Sequence, residues 1–321
     1  MSEPLFLGVD IGGTKCAVVL GDRAATILER EEFPTELGTE GRNRTLELLK
    51  SSAASMAEQK DIQALGIASG GPLDTERGVV LCPPNLGGWE DLPIVEIFQE
   101  ELSIPTYLEN DANAAALAER RFGAGRGVAN LVYLTFSTGM GAGIILDGRL
   151  YRGTSDQAGE VGHVRIADEG PTGYGKSGSF EGFCSGPGMA RMMVSEIMAL
   201  PQEIGSSEAQ ERYKNPREIT GKDVADWAKR GDPLALKVVA TSGEYLGRGM
   251  AVLVDILNPE LIVVGGMGVR LGDLVLEPAR RALAYEAIAS GVAACRIVPA
   301  ELGERTGDIG AICVALERCQ G

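Results

Sequence analysis

Leu5-Phe6-Leu7-Gly8-Val9-Asp10-Ile11-Gly12-Gly13-Thr14-Lys15-Cys16-Ala17-Val18-Val19-Leu20 opens the chain on an apolar run, a glycine turn and a second apolar run. Leu5 to Ile11 is strand-like, Gly12-Gly13-Thr14-Lys15 reverses direction, and Cys16 to Leu20 returns, which predicts a β-hairpin. The layout comes back at an offset of 126 residues: Leu131 to Phe136, the turn Ser137-Thr138-Gly139-Met140-Gly141-Ala142-Gly143, then Ile144 to Leu146. Gly139 falls on Gly13, and Ile144-Ile145-Leu146 on Val18-Val19-Leu20. Glycine turns let backbone amides approach an anion with no Cβ in the way. Two related halves of this kind predict a duplicated α/β fold with nucleotide phosphates held between them.

The composition agrees with an enzyme of that class. The 321 residues suffice for two ordinary domains, aromatics make up only 5%, and 44 glycines supply many tight turns. A net charge of −15 argues against a broad nucleic-acid or anionic-membrane surface, since either needs clustered Lys and Arg. The N-terminal residues enter a strand at once without a signal-peptide pattern, and no run approaches a membrane span. Cys16, Cys82, Cys184, Cys295, Cys313 and Cys319 contain no C-x-x-C pair and read as reduced thiols, so a cytoplasmic location is expected.

Between the hairpins, Arg42 to Lys60 carries helical spacing in Leu46, Leu49, Ala53 and Met56, and Ala64 to Ile67 is a short strand entering Gly70-Gly71-Pro72. Residues 147–187 are polar and glycine-rich, the kind of long loop that carries function. Leu234 to Leu257 predicts a long helix, Leu261 to Val264 a buried strand, Gly265-Gly266-Met267-Gly268 the turn after it, and Gly307 to Cys319 a final apolar-faced helix.

The chemistry concentrates in Tyr107-Leu108-Glu109-Asn110-Asp111-Ala112-Asn113, where an acid sits between two amides as an apolar strand gives way to the alanine-rich run Ala114 to Arg121. Asn and Asp at such a corner satisfy orphan helix amides, so an N-cap is one reading of the pair. The other is a general base for phosphoryl transfer, because glycine turns flank the pair on both sides in sequence. Asp10-Ile11-Gly12-Gly13-Thr14-Lys15 is not a Walker A loop, but it offers amides, a hydroxyl, an ammonium and, in Asp10, a carboxylate suited to Mg²⁺. Glu160-Val161-Gly162-His163 holds the single histidine of the chain. A Glu-x-x-His pair suggests a metal, yet no second histidine or cysteine pair is near enough to complete a zinc site.

Taken together these motifs resemble the ROK family (repressor, open reading frame, kinase) of sugar kinases, glucokinases in particular, over nearly the whole chain. The resemblance rests on Asp10 to Lys15, Pro84-Asn85-Leu86-x-x-Trp89, Asn110 to Asn113, the Ser137-to-Gly143 turn, Glu160-x-Gly162-His163, Phe180-Glu181 with Ser185-Gly186, and Leu257-Asn258-Pro259-Glu260-Leu261-Ile262-Val263-Val264-Gly265-Gly266. It implies a two-domain actin-like, ribonuclease-H-like ATPase fold with nucleotide and sugar bound in the interdomain cleft. The domains are expected at 1–120 and 121–306, with a C-terminal helix over 307–321 packing back on the first. It implies ATP with Mg²⁺ as cofactors, a small-molecule sugar as substrate and a homodimer as assembly. Asp111 would be the general base for the sugar 6-hydroxyl. Asn110, Glu160, His163 and Glu181, helped by Gly71 and Asn85, would bind sugar hydroxyls. Gly12, Gly13, Thr14, Lys15, Thr138 and Gly139 would cradle phosphates, Gly265, Gly266 and Met267 would line the adenosine pocket, and Asp10 would hold Mg²⁺. Sugar is expected to draw the 160–186 loop toward Asp111.

One departure stands out. Many members follow the histidine with C-x-C-G-x-x-G-C-x-E and bind structural zinc through three cysteines and that histidine. Here Thr172, Tyr174 and Ser179 stand at the cysteine positions, while Gly175, Gly178 and Glu181 remain, so no structural zinc is expected. Cys184 reads as a buried thiol. The expected activity is ATP-dependent phosphorylation of a hexose, glucose first. An N-acetylmannosamine or N-acetylglucosamine kinase is the alternative, and a sugar sensor without turnover is the rival of another class. No helix-turn-helix segment precedes residue 5, which disfavours the repressor branch, and a chaperone-like ATPase of the same superfold would not need the polar sugar ligands.

Overall fold

In the computed structural model, residues 3–199 and 218–319 are described. Among them the elements run β1 (Leu5–Ile11), β2 (Lys15–Asp22), β3 (Ile27–Pro34), α1 (Gly38–Ala57), β4 (Ile62–Ser69), β5 (Leu73–Asp74), β6 (Val79–Val80), α2 (Ile94–Leu102), β7 (Thr106–Asn110) and α3 (Asp111–Phe122). There follow β8 (Leu131–Phe136), β9 (Met140–Leu146), β10 (Arg149–Leu150), a 3₁₀ turn at Val161–His163, β11 (Thr172–Gly173), β12 (Lys176–Ser177), α4 (Phe180–Phe183) and α5 (Gly186–Met198). The remainder comprises α6 (Gly221–Lys229), α7 (Pro233–Leu257), β13 (Leu261–Val264), α8 (Met267–Leu271), α9 (Asp273–Glu286), α10 (Ala289–Ala294), β14 (Arg296–Pro299) and α11 (Thr306–Arg318). Two compact units result: one takes in the chain up to Ala129, Gly143–Gly159 and the chain from Glu301 on, the other Asn130–Ala142 and Glu160–Ala300.

The first unit is built on a sheet of order β3-β2-β1-β4-β7. β1 and β2 pair antiparallel with Ile11 opposite Cys16, and β1, β4 and β7 run parallel. Helices cover both faces. Leu46, Leu49, Ala53 and Met56 of α1 pack with Leu7, Val9, Val18 and Leu20 on one face, and Ile309, Ile312, Cys313 and Leu316 of α11 pack with Phe6, Val19 and Ala64 on the other. The α11 backbone lies so close to β4 that a Cβ at Gly66 would collide with Ala311 O. Parallel register puts Ile11, Ser69 and Asn110 in one row, so the carboxyl ends of β1, β4 and β7 finish together. In open α/β sheets that edge is where ligands bind.

The second sheet has the order β10-β9-β8-β13-β14, with β8, β13 and β14 parallel. The order matches the first sheet strand for strand, a hairpin followed by parallel strands, as the 126-residue repeat requires. In the second unit α7 and α9 pack closely, because a Cβ at Gly243 or Gly247 would meet the carbonyl of Val275 or Ala279. The polar region 147–187 is less bare than its composition suggests: it holds β10, the 3₁₀ turn, the β11–β12 hairpin and α4. No helix among the described residues is long and apolar enough to cross a membrane, and all six cysteines are free.

Candidate active site

On the first unit, the row of strand ends gathers Asp10, the Gly12–Lys15 turn, Gly71, Asn110 and Asp111. Asn110, not Asp111, caps α3: its Oδ1 accepts from the amides of Ala112 at 2.9 Å and Asn113 at 3.3 Å. Asp111 is the first helical residue, exposed, with Oδ1 accepting from the Ala112 amide at 2.8 Å. The cap thus occupies the neighbouring amide oxygen and leaves the acid turned outward at the positive end of the helix. Asn85 lies over the first turn, 3.2 Å from where a Gly13 Cβ would be. The Gly12 amide closes the hairpin by donating to Lys15 O at 3.0 Å, whereas those of Gly13 and Thr14 make no backbone hydrogen bond among the described residues. Lys15 extends away from the turn and pairs with Glu32 on β3 at 2.8 Å. Gly71 follows β4 through a cis bond to Pro72.

Electrostatics single out Asp10. Burial, then the neighbouring carboxylates of Asp111 and Asp308, push its acid up to about 7, against weaker opposition from Lys15 and Arg30. Arg30 is engaged elsewhere, bonded to Asp308 at 2.8 Å and Glu32 at 2.7 Å. Gly307 at the start of α11 touches the Asp10 carboxylate so closely that a Cβ there would collide with Oδ2. An anionic, poorly solvated carboxylate of this kind fits a cation. Mg²⁺ keeps several waters and takes one or two carboxylates plus phosphate oxygens, so the lack of any three-ligand His, Cys, Asp or Glu cluster among the described residues does not conflict with it.

On the second unit, the turn 137–139 after β8 and the turn 265–267 after β13 abut, since a Cβ at Gly266 would run into Phe136 O. Gly266 has φ +54°, so glycine is required there by conformation as well as by space. The amides of Thr138 and Gly139 make no backbone hydrogen bond among the described residues. Met267 begins α8, so the predicted turn runs into a helix. Against the 137–140 turn stands Glu181 of α4, whose Oε2 accepts from the Met140 amide at 3.2 Å. Burial holds the Glu181 acid above the usual range, opposed by hydrogen bonds from Met140 and the Tyr174 hydroxyl. Glu160 precedes the 3₁₀ turn and His163 ends it, both exposed, with Oε2 and Nε2 3.9 Å apart. The predicted residues therefore form two sets, one on each unit.

Sequence reasoning missed the residues behind the first set. Glu109, buried beneath the corner, accepts from Arg152 Nε at 2.7 Å and Nη2 at 2.6 Å, from the Asn110 amide at 3.1 Å and from Asn113 Nδ2 at 2.8 Å. Only the charge of Glu109 inside an apolar strand could have signalled it. Asp308 was missed as well, hidden in a helix that reads as apolar.

The donor set after His163 does not fit zinc. Ser179 Oγ caps α4, accepting from Gly182 N and Gly173 N at 3.1 Å each. The Cys184 thiol is buried, donates to Ser242 O at 3.4 Å, and is raised far above the ordinary thiol range by burial. Neither offers a ligand.

A sheet repeated with its hairpin, parallel strands and paired glycine turns defines the actin-like, ribonuclease-H-like class of α/β folds. The ROK family pattern matches residues 6–318, and the chain belongs to that family. It is 34% identical to a glucokinase of Halalkalibacterium halodurans, covering 97% of this chain and 94% of the relative. It is also similar to a xylose repressor of Caldicellulosiruptor bescii, at 31% identity over 97% of this chain and 78% of that one. Among solved structures, a ROK family glucokinase from Streptomyces griseus in complex with glucose and AMPPNP aligns at 32% identity and a TM-score of 0.83, covering 99% and 100% of the two chains.

Proposed function

We propose that this protein is a sugar kinase that transfers the γ-phosphoryl group of ATP to the 6-hydroxyl of a hexose, with glucose as the first substrate to try. The observation that carries the reading is Asp111, exposed on the first residue of α3 while Asn110 takes over the cap. A carboxylate there takes the hydroxyl proton as the sugar oxygen bonds to the γ-phosphorus and the bond to the departing ADP oxygen breaks. The glucokinase relative and the neighbour crystallised with glucose and AMPPNP support the same assignment.

The remaining roles follow from what each group has left to offer. Asn110 keeps its Nδ2 donors for a sugar oxygen, helped by Gly71 and Asn85 on the first unit, and on the second unit Glu160, His163 and Glu181 supply acceptors and a ring nitrogen for further hydroxyls. Each sugar hydroxyl must donate and accept, so a wrong sugar leaves partners unpaired. The amides of Gly13, Thr14, Thr138 and Gly139 bind phosphate oxygens, while Gly12 shapes its turn. Lys15 reaches phosphate only by leaving Glu32, a small cost because exposed pairs are worth about 0–1 kcal/mol. Gly265, Gly266 and Met267 line the adenosine site. Asp10 holds Mg²⁺, which supplies neutralisation of charge building on the phosphates.

A sugar sensor is the second reading, favoured by the xylose repressor among the relatives. Turnover separates them. ADP release measured across hexoses and N-acetylhexosamines should show one clearly preferred sugar, and Asp111→Asn should cost about 10²- to 10⁴-fold in kcat with ATP affinity little changed. Absence of sugar-dependent ADP release for every sugar would leave the sensor reading standing. A cytoplasmic homodimer is part of the same proposal.

A further inference from the structure

Tyr174, on the second unit, lies between two of the proposed sugar ligands. Its ring stacks on that of His163, centroids 3.8 Å apart and planes 19° from parallel. Its hydroxyl bonds Glu181, whose Oε2 also accepts from the Met140 amide beside the glycine turn. Tyr174 thus joins two of the proposed sugar ligands to one another and to the phosphate turn. Space confirms how tightly they fit: a Cβ at Gly139 would lie 2.9 Å from Glu181 Oε2 and 3.9 Å from the Tyr174 hydroxyl. Tyr174 also holds φ at +51°, a left-handed conformation uncommon for an aromatic residue and kept only where surrounding contacts over-determine it.

The rest of the loop supplies those contacts. Lys176 Nζ donates to His163 O at 2.6 Å, Arg191 to Thr172 O at 2.7 Å, and Ser177 Oγ to Gly170 O at 3.0 Å. Thr172 pairs with Ser177 and Gly173 with Lys176 in the β11–β12 hairpin that carries Tyr174 at its tip. Ser179 ties the hairpin to α4 through Gly173, next to Tyr174, and Gly182. A metal would fix such a loop through thiolates and the imidazole; here the imidazole is fixed through its face, with Nε2 3.9 Å from Glu160 Oε2.

We infer that Tyr174 is a positioning residue for sugar recognition, replacing a metal clip with a ring stack on His163 and a hydrogen bond to Glu181. The inference rests on the sugar-kinase reading above for the word "sugar", but its geometric half can be read without turnover. The chain has one histidine, so nuclear magnetic resonance gives one imidazole to follow. In the full-length protein its carbon-bound ring protons should be shifted upfield by the tyrosine ring. Tyr174→Phe should keep that shift and Tyr174→Leu should abolish it.

In kinetics, Tyr174→Phe removes only the hydroxyl and should raise the sugar KM about five- to tenfold, with kcat and the ATP KM within about twofold. Tyr174→Leu should raise the sugar KM further, and the melting temperatures of both variants should stay close to wild type. An imidazole signal unmoved in Tyr174→Leu, or a sugar KM unchanged in both variants, overturns the inference. Wild-type protein that shows the ring shift yet phosphorylates no sugar overturns the kinase reading alone; the inference is then decided by the sugar Kd of the two variants, and a Kd unchanged in both overturns it.

Discussion

At the scale of single residues, Asp10 exacts a cost in stability for the charge it carries. Its carboxyl titrates near 3.8 in the unfolded chain and at about 7 when folded, through burial and the nearby Asp111 and Asp308. Below about pH 3 the acid is protonated in both states and adds no pH dependence. As pH rises through the window from about 4 to about 7, the unfolded chain releases its proton first, so this group removes stability, and the loss is complete above about 7. Asp10→Asn should therefore come closest to wild type in denaturant unfolding at about pH 3 and exceed it by about 2–4 kcal/mol at pH 8. If Asp10 holds Mg²⁺, the same variant should need more Mg²⁺ for activity, so stability and function would move in opposite directions. Equal stability gaps at both pH values would remove the strained carboxylate.

At the scale of elements, the corner between β7 and α3 depends on an ion pair beneath it. Glu109 is 2% exposed and is bonded by Arg152 from another segment of the first unit. Removing only one partner strands a buried carboxylate, whereas removing both does not. Arg152→Met should destabilise by about 2–4 kcal/mol and lower kcat as the corner carrying Asp111 shifts; Glu109→Gln combined with Arg152→Met should recover part of the stability. A double variant less stable than the single one would contradict this. The corner also marks what the sequence could and could not tell. β1 and β13 coincide with the runs read from the chain, because both are buried and bounded by glycine turns. The helical spacing of Leu46, Leu49, Ala53 and Met56 falls on the buried face of α1. β3 passed unnoticed because Leu28 to Glu32 are exposed on an edge strand and carry no alternating apolar pattern. The Glu109–Arg152 pair was invisible for a different reason: its partners are 43 residues apart, and no local pattern encodes which arginine folds under which strand. The Tyr174–His163 stack is similar, since residue types at the cysteine positions tell what is missing and not what has taken over.

At the scale of the whole molecule, the net charge of −15 opposes the nucleotide proposed to bind at the glycine turns. MgATP is itself an anion, and the amides of Gly13, Thr14, Thr138 and Gly139 can attract it only over a few ångströms. The summed field of the surface carboxylates reaches farther, about 30 Å at 10 mM salt but only about 8 Å at physiological ionic strength. Screening should thus weaken the long-range repulsion more than the short-range attraction. Raising salt from about 10 to 150 mM should lower the KM for MgATP, by about twofold, while the KM for an uncharged hexose stays constant and serves as the internal control. A basic phosphate site reached through a positive field would do the reverse, its KM climbing severalfold over the same range. Steady-state kinetics at a fixed excess of free Mg²⁺ decide between the two: a MgATP KM that rises with salt would mean that lysine and arginine charge, with Lys15 released from Glu32 among it, dominates nucleotide capture over the backbone turns.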